Sequence, residues 1–494
     1  MLFTSLSYLF FFPLVFALYW LSPVKFRRAL LLVASYAFYM CWIPTYGLLL
    51  FIMTAFNYIL GLAMDKFRSR VKSILVFGLV ANIGALIYFK YTSFLLDSLK
   101  SAVASVEPWF KLPVASQDIV VLNVILPLGI SFFVFEFIHY LVDIYRGHKP
   151  IKSPLDFALF AAFFPSQIAG PIKRFQDFEH QLTELKPLNS NLVHTGISLI
   201  LQGLFKKVAL SDNLSPIITA GYGNVHAMGT ADAWLASIGF CVLVYLDFSG
   251  YTDLGRGSAM LLGFKLPDNF ALPYFATSLS DYWRRWHISL SSWLRDYLYI
   301  PMGGNRVSRM RRHINLFITM TLGGLWHGAA WHYVLWGSLH GVMLAVNHEY
   351  DAFAKGKPFF ERIHASTWGK VLGCAFTCLV VNFGLVVFRS NSLKDSLVVY
   401  SRMLSLHPNG AESLVDTFMA GVLPTAFLAY ITYFVLSSGD YVPWLRNLRS
   451  YVESRAALAR VCSWPTRIAI YAGSFFAAVG FSPTSASPFI YFQF

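Results

Sequence analysis

The run Leu322-Gly323-Gly324-Leu325-Trp326-His327-Gly328-Ala329-Ala330-Trp331 sets one imidazole among small and aromatic residues, in a stretch otherwise built for lipid. An ionisable group at membrane depth costs several kcal/mol unless it faces a cavity or a partner, so its presence there points to chemistry. Neutral imidazole accepts a proton near physiological pH. A histidine held in a water-poor channel is therefore a suitable base for a hydroxyl attacking a thioester carbonyl. The flanking glycines and alanines let another helix or a thin acyl chain come close, and Trp326 and Trp331 are candidates to wall such a channel. The competing account is a buried histidine that bridges two helices, with the small residues serving packing alone.

A second histidine, His287, follows Trp283-Arg284-Arg285-Trp286. Cations interleaved with aromatic faces suit an anionic ligand, and guanidinium groups pair bidentately with phosphate. Arg284, Arg285 and Arg295 are candidates to meet the phosphates of a coenzyme A thioester at a cytoplasmic mouth. The same residues also describe an amphipathic interfacial helix, with arginines on lipid phosphates and tryptophans in the interface belt. Asp247 and Asp253 fall in Asp247-Phe248-Ser249-Gly250-Tyr251-Thr252-Asp253, while Glu136, His139 and Asp143 share a helical face at i, i+3 and i+7. Both clusters read as fold-stabilising networks. His332, His340 and His348 recur at a spacing that drifts by about 80° per step around a helix, so no metal site is expected. No Walker motif, dinucleotide fingerprint or Gly-x-Ser-x-Gly elbow occurs with the strand-turn-helix context it needs.

These groups sit in a chain of 494 residues that is 56% hydrophobic, 17% aromatic and only 13% charged. Its mean hydropathy is +0.55. A soluble chain carries about twice that charged fraction. Apolar runs near 6–21, 29–43, 46–64, 73–96, 119–142, 232–262, 313–326, 331–347, 368–388, 418–436 and 467–481 give about ten or eleven crossings of a hydrocarbon core of about 30 Å. The expectation is an all-α polytopic membrane protein, with 1–494 as one transmembrane domain: N-terminal helices in 1–150, a catalytic core in 151–348 and C-terminal helices in 349–494. The net charge of +14 is carried by short basic clusters between apolar runs, which fits membrane-flanking loops better than nucleic acid, and no basic tail or nucleic-acid motif accompanies them, so no nucleic-acid partner is expected. Placing Lys25-Phe26-Arg27-Arg28, the 65–72 loop and Tyr145-Arg146-Gly147-His148-Lys149 in the cytoplasm puts Met1 outside. The N-terminal run reads as a first transmembrane helix and not as a removed signal. All five cysteines read as packing residues.

Two stretches break the pattern. Residues 151–231 carry Pro154, Pro165, Pro171, Pro187 and Pro216, and 264–312 carry much charge with Gly and Pro. Broken backbone at membrane depth is tolerated where it is buried in protein or lines a cavity, so short re-entrant and interfacial helices are expected in both.

Five segments, taken in order, resemble the membrane-bound O-acyltransferases, and within them the bacterial branch typified by the membrane subunit of alginate O-acetyltransferase. They are Phe163-Phe164-Pro165-Ser166-Gln167-Ile168-Ala169-Gly170-Pro171-Ile172-Lys173-Arg174, Asp247-Phe248-Ser249-Gly250-Tyr251-Thr252-Asp253, Tyr282-Trp283-Arg284-Arg285-Trp286-His287, Tyr299-Ile300-Pro301-Met302-Gly303-Gly304-Asn305 and Gly324-Leu325-Trp326-His327-Gly328. Pro488-Phe489-Ile490-Tyr491-Phe492-Gln493-Phe494 is similar to the C-terminus of that branch, so the resemblance spans essentially the whole chain.

The resemblance implies that His327 is the membrane-embedded catalytic histidine and acts as base. It implies that His287 fills a second polar catalytic position that positions groups or relays a proton. It implies a ring of helices around a tunnel, with the two broken stretches forming a cytoplasmic funnel. The expected activity is O-acyl transfer in a bacterial inner membrane from acetyl-CoA as donor substrate, with no permanently bound cofactor. An SGNH-hydrolase-type periplasmic partner would then modify an extracellular polysaccharide. Transfer of D-alanine toward teichoic acid, or of acetyl to peptidoglycan, is a second reading within the family. A transporter of an acyl or lipid-linked substrate is a reading from another class, against which the absence of an internal repeat counts.

Overall fold

The computed structural model describes residues 1–109, 116–122, 124–168, 170–408, 413–420, 472–473 and 475–483. Among the described residues the chain is helical throughout, with a lone antiparallel bridge between Phe270 and Trp286 in place of any strand. By length and composition four helices can cross a bilayer: Thr45–Lys66, Arg68–Val106, Thr230–Leu261 and Thr367–Arg389. Leu6–Leu21 is a shorter apolar helix. The expected crossings near 313–326 and 331–347 lie in Arg309–His327 and Trp331–Ala354, which reach spanning length but carry more polar residues. The crossing expected near 418–436 and most of that near 467–481 lie outside the described residues, as do Cys462 and the 488–494 segment.

The chain divides into two compact units: 1–187 with 325–331, and 188–324 with 332–494. In the first unit, Leu6–Leu21, Val24–Met40 and Thr45–Lys66 lead into a long helical run through Val71–Leu86, a π-turn at Ile87–Tyr91, and Thr92–Val106. Helix therefore continues past the apolar run at 73–96 as far as Val106; from 85 to 106 the chain holds neither Gly nor Pro to stop it. The crossing expected at 119–142 forms only over Ile130–Tyr145. Gly129 opens that helix at φ 73°, where a Cβ would lie 2.7 Å from the Gln167 carbonyl oxygen, so glycine is needed there for both conformation and space. Asn57 and Asn82 exchange amide hydrogen bonds of 3.1 and 2.8 Å between two apolar helices, polar glue of the kind that holds helices together in lipid. The Glu136 carboxylate accepts 2.7 and 2.9 Å bonds from the buried Lys173 ammonium, and Asp156 takes Arg28 in a fork with both oxygens at 3.0 Å.

In the second unit, Ser190–Leu204, a π-turn at Phe205–Ser211 and Asp212–Gly223 run on as one helical stretch. The expectation of short broken pieces holds over 151–187, where the chain breaks into Pro154–Ala162, Phe164–Gln167 and Phe175–Thr183 with Pro154 and Pro165 in first turns that lose no hydrogen bond, and is corrected over 190–223, where Pro216 lies inside a helix. Packing outweighs the cost of one internal proline, about 3 kcal/mol. The stretch lies antiparallel to Thr230–Leu261, Gly196 facing Gly257 and Gly203 facing Gly250 at near-backbone contact. The π-turn brings Lys207 between Asp247 and Asp212, 2.5 and 2.7 Å away, and Lys206 onto Asp253 at 2.6 Å. The carboxylates of both sequence clusters thus serve as anchors for helix packing, with lysine as the principal partner.

Candidate active site

His327 is the last residue of Arg309–His327 and is 6% exposed. Its neighbour Trp326 packs against Phe132 and stacks on Phe135, both with ring centroids 5.4 Å away, and meets the His327 ring edge-on at 5.2 Å. The indole therefore fixes the histidine end of the helix against Ile130–Tyr145. The final carbonyls of a helix have no partner within it. Here two adjacent side chains supply them: Lys90 Nζ donates to Trp326 O and, at 3.2 Å, to His327 O, while the Tyr91 hydroxyl donates to Leu325 O at 2.9 Å. Trp331 is 60% exposed, donates to Ser98 Oγ at 3.2 Å and packs edge-on against Phe94.

His287 belongs to the second unit and is fully buried. It links Leu279–Arg285 to Ile288–Leu294 with φ 44° and ψ 54°, left-handed values that cost a non-glycine residue on the order of 1–3 kcal/mol. The surroundings hold the turn from one side. Asn269 accepts the Ile288 N–H on its carbonyl at 2.9 Å, and its Oδ1 accepts the Ser289 N–H at 3.2 Å and the Ser289 hydroxyl at 2.7 Å. Phe270 bridges Trp286, and the Ala271 N–H donates to Arg285 O at 3.0 Å. The edge-to-face contact of Phe248 with the His287 ring, at 4.7 Å, seats the imidazole on Thr230–Leu261.

The three candidate phosphate-binding arginines are held differently. Arg285 donates to Asp281 at 2.9 Å and to Ala271 O at 3.3 Å, so it braces the His287 turn. Arg284 is 73% exposed and 3.9 Å from Asp281, which leaves its guanidinium available to an incoming anion. Arg295, in the π-turn Arg295–Tyr299, donates to Asp296 at 2.7 Å, and that hydrogen bond raises its pKa. Arg284 and Arg285 thus sit together beside His287, with Arg295 farther along the same broken stretch. Among the described residues no group of three His, Cys, Asp or Glu side chains is placed to hold a metal ion.

Sequence reasoning passed over Lys90, Tyr91 and Asn269. Lys90 had a signal: it is the only charged residue in the 73–96 apolar run, the same kind of anomaly that draws attention to His327. Asn269 had none, because a turn asparagine gives no hint of which backbone it will grip.

The model of the MBOAT, membrane-bound O-acyltransferase family matches residues 130–388, a stretch that contains both histidines and all three arginines. Among curated proteins, the chain is 36% identical to a probable alginate O-acetylase AlgI of Azotobacter vinelandii, over the whole of both chains. It is 38% identical to the corresponding protein of Pseudomonas aeruginosa, covering 87% of this chain and 81% of that one. It is also 33% identical to a peptidoglycan O-acetyltransferase of Helicobacter pylori, covering 77% of this chain and 74% of the relative. The chain belongs to the membrane-bound O-acyltransferase family: it is a multi-pass membrane protein and an acyltransferase.

Proposed function

We propose that this acyltransferase takes an acetyl group from cytoplasmic acetyl-CoA and delivers it for O-acetylation of an extracytoplasmic polysaccharide of the alginate kind, through an SGNH-type periplasmic partner. The observation that carries the reading is a buried imidazole at the capped end of a helix, in a chain similar from end to end to alginate O-acetylases. In the reaction, His327 takes the proton from the acceptor hydroxyl as its oxygen attacks the thioester carbonyl. The tetrahedral intermediate expels the coenzyme A thiolate, which recovers that proton from the imidazolium, leaving an acetyl ester and free thiol. His287 positions the reacting groups or relays the proton. Arg284 and Arg295 receive the donor phosphates, while Arg285 braces the His287 turn beside them. The ring of ten or eleven helices, the tunnel and the cytoplasmic funnel belong to this proposal, as do the inner membrane, the basic loops on its cytoplasmic face and Met1 outside.

Similarity to a peptidoglycan O-acetyltransferase supports a second acceptor within the same chemistry. Deleting the gene and restoring it as wild type or His327→Ala tests the choice. The acetyl-ester content of the secreted polysaccharide falls in the deletion, returns with wild type and stays low with His327→Ala. Loss of acetyl from peptidoglycan alone would assign the other acceptor.

A further inference from the structure

We infer that Lys90 and Tyr91 are positioning residues for His327, a tether that holds the histidine end of its helix in place. The inference rests on the reading of His327 as the base and deepens it. The two residues are consecutive and lie in the π-turn Ile87–Tyr91, within a helix otherwise of regular α form. In an α-helix consecutive side chains diverge by about 100°. In this widened turn both reach one helix end, where they take three successive carbonyls, Leu325, Trp326 and His327.

Three physical arguments make this more than packing. A π-turn inside an α-helix is rare and recurs at functional sites. A lysine in a membrane-spanning segment is costly, and among the described residues no carboxylate forms an ion pair with it. Lys90 spends its charge on the negative end of the helix dipole and on the Trp326 ring, 5.8 Å from its ammonium. Finally, the residues after His327 are Gly328, Ala329 and Ala330, which offer no side chain able to cap those carbonyls. Without Lys90 the last turn is free to fray, and the imidazole loses its aim at the reacting carbonyl.

The test uses the full-length protein in detergent with Lys90→Met, close to lysine in length but uncharged, and Lys90→Arg, which keeps charge and donors. Hydrogen–deuterium exchange of the peptide covering 323–331 speeds up about tenfold in Lys90→Met, with the Thr45–Lys66 peptide unchanged, and stays near wild type in Lys90→Arg. With acetyl-CoA as donor, Lys90→Met lowers kcat about 10²-fold at unchanged KM, the cost of a misplaced catalytic group, and Lys90→Arg restores most of it. Unchanged exchange in Lys90→Met would overturn the tether. Faster exchange with unaltered kcat would reduce it to packing and overturn its catalytic purpose. If wild type itself cleaves no acetyl-CoA while Lys90→Met still loosens 323–331, the tether stands and the proposed donor falls.

Discussion

Gly203 and Gly250 face each other across two antiparallel helices so closely that a Cβ on Gly203 would lie 2.6 Å from the Gly250 carbonyl oxygen. Gly196 and Gly257 repeat the arrangement seven residues away on each helix, the second Cβ falling 2.7 Å from the opposing carbonyl oxygen. Small residues at such a seam let helix backbones approach in a membrane, where lipid gives no hydrophobic drive for association. This approach carries Lys206 and Lys207 onto their carboxylates and fixes Thr230–Leu261, on which His287 rests.

Gly203→Ala is therefore expected to destabilise the protein by about 1–3 kcal/mol, the usual cost of overpacking against backbone. The control is Gly84→Ala, at a helical glycine with nothing within 4 Å of the added methyl, which is expected to be neutral or slightly stabilising. Thermal unfolding in detergent measures both. Equal midpoints would mean that the seam is looser than described.

Asn269→Ala removes the acceptor for Ser289 from beside a left-handed turn. The buried Ser289 N–H and hydroxyl are left wanting, at about 1–3 kcal/mol. The strained His287 backbone then relaxes. Turnover is expected to fall with donor KM little changed, and Asn269→Asp, which keeps the acceptor oxygen, is expected to recover part of it. Steady-state kinetics on protein that elutes as wild type decides; full activity in Asn269→Ala would show that the turn holds itself.

Arg284→Ala is expected to raise the donor KM about tenfold with kcat nearly intact, since a phosphate contact acts on ground-state binding. Arg285→Ala is expected to differ in kind. Arg285 braces Asp281 and Ala271, so its loss disturbs the His287 turn and lowers kcat. An unchanged KM in Arg284→Ala would make that residue a lipid anchor.

Much of this was legible before any coordinates. Thr45–Lys66, Thr230–Leu261 and Thr367–Arg389 are apolar runs whose length alone makes them crossings. His327 stood out because a titratable ring among glycines and leucines is costly at membrane depth unless it faces a cavity or a partner. What lay hidden depends on long-range contacts. The left-handed turn at His287 is forced by Asn269 and by the Phe270–Trp286 bridge, and nothing in Trp286-His287-Ile288 announces positive φ. Pro216 suggested a break where the glycine seam keeps the helical stretch intact. The π-turn at Ile87–Tyr91 has no sequence period of its own, so Lys90 could be noticed as an oddity but not paired with the helix end it caps.

The most direct measurement is release of coenzyme A thiol from radiolabelled acetyl-CoA by the purified protein, with the proposed periplasmic partner as acceptor, comparing wild type with His327→Ala at matched folded amounts. A methyl at position 327 fits easily beside Gly328 and Ala329, so the fold is expected to survive. The account predicts thioester cleavage with label transferred by wild type, and a rate about 10²–10⁴-fold lower in His327→Ala. Equal rates in the two proteins would contradict the assignment of His327 as the base.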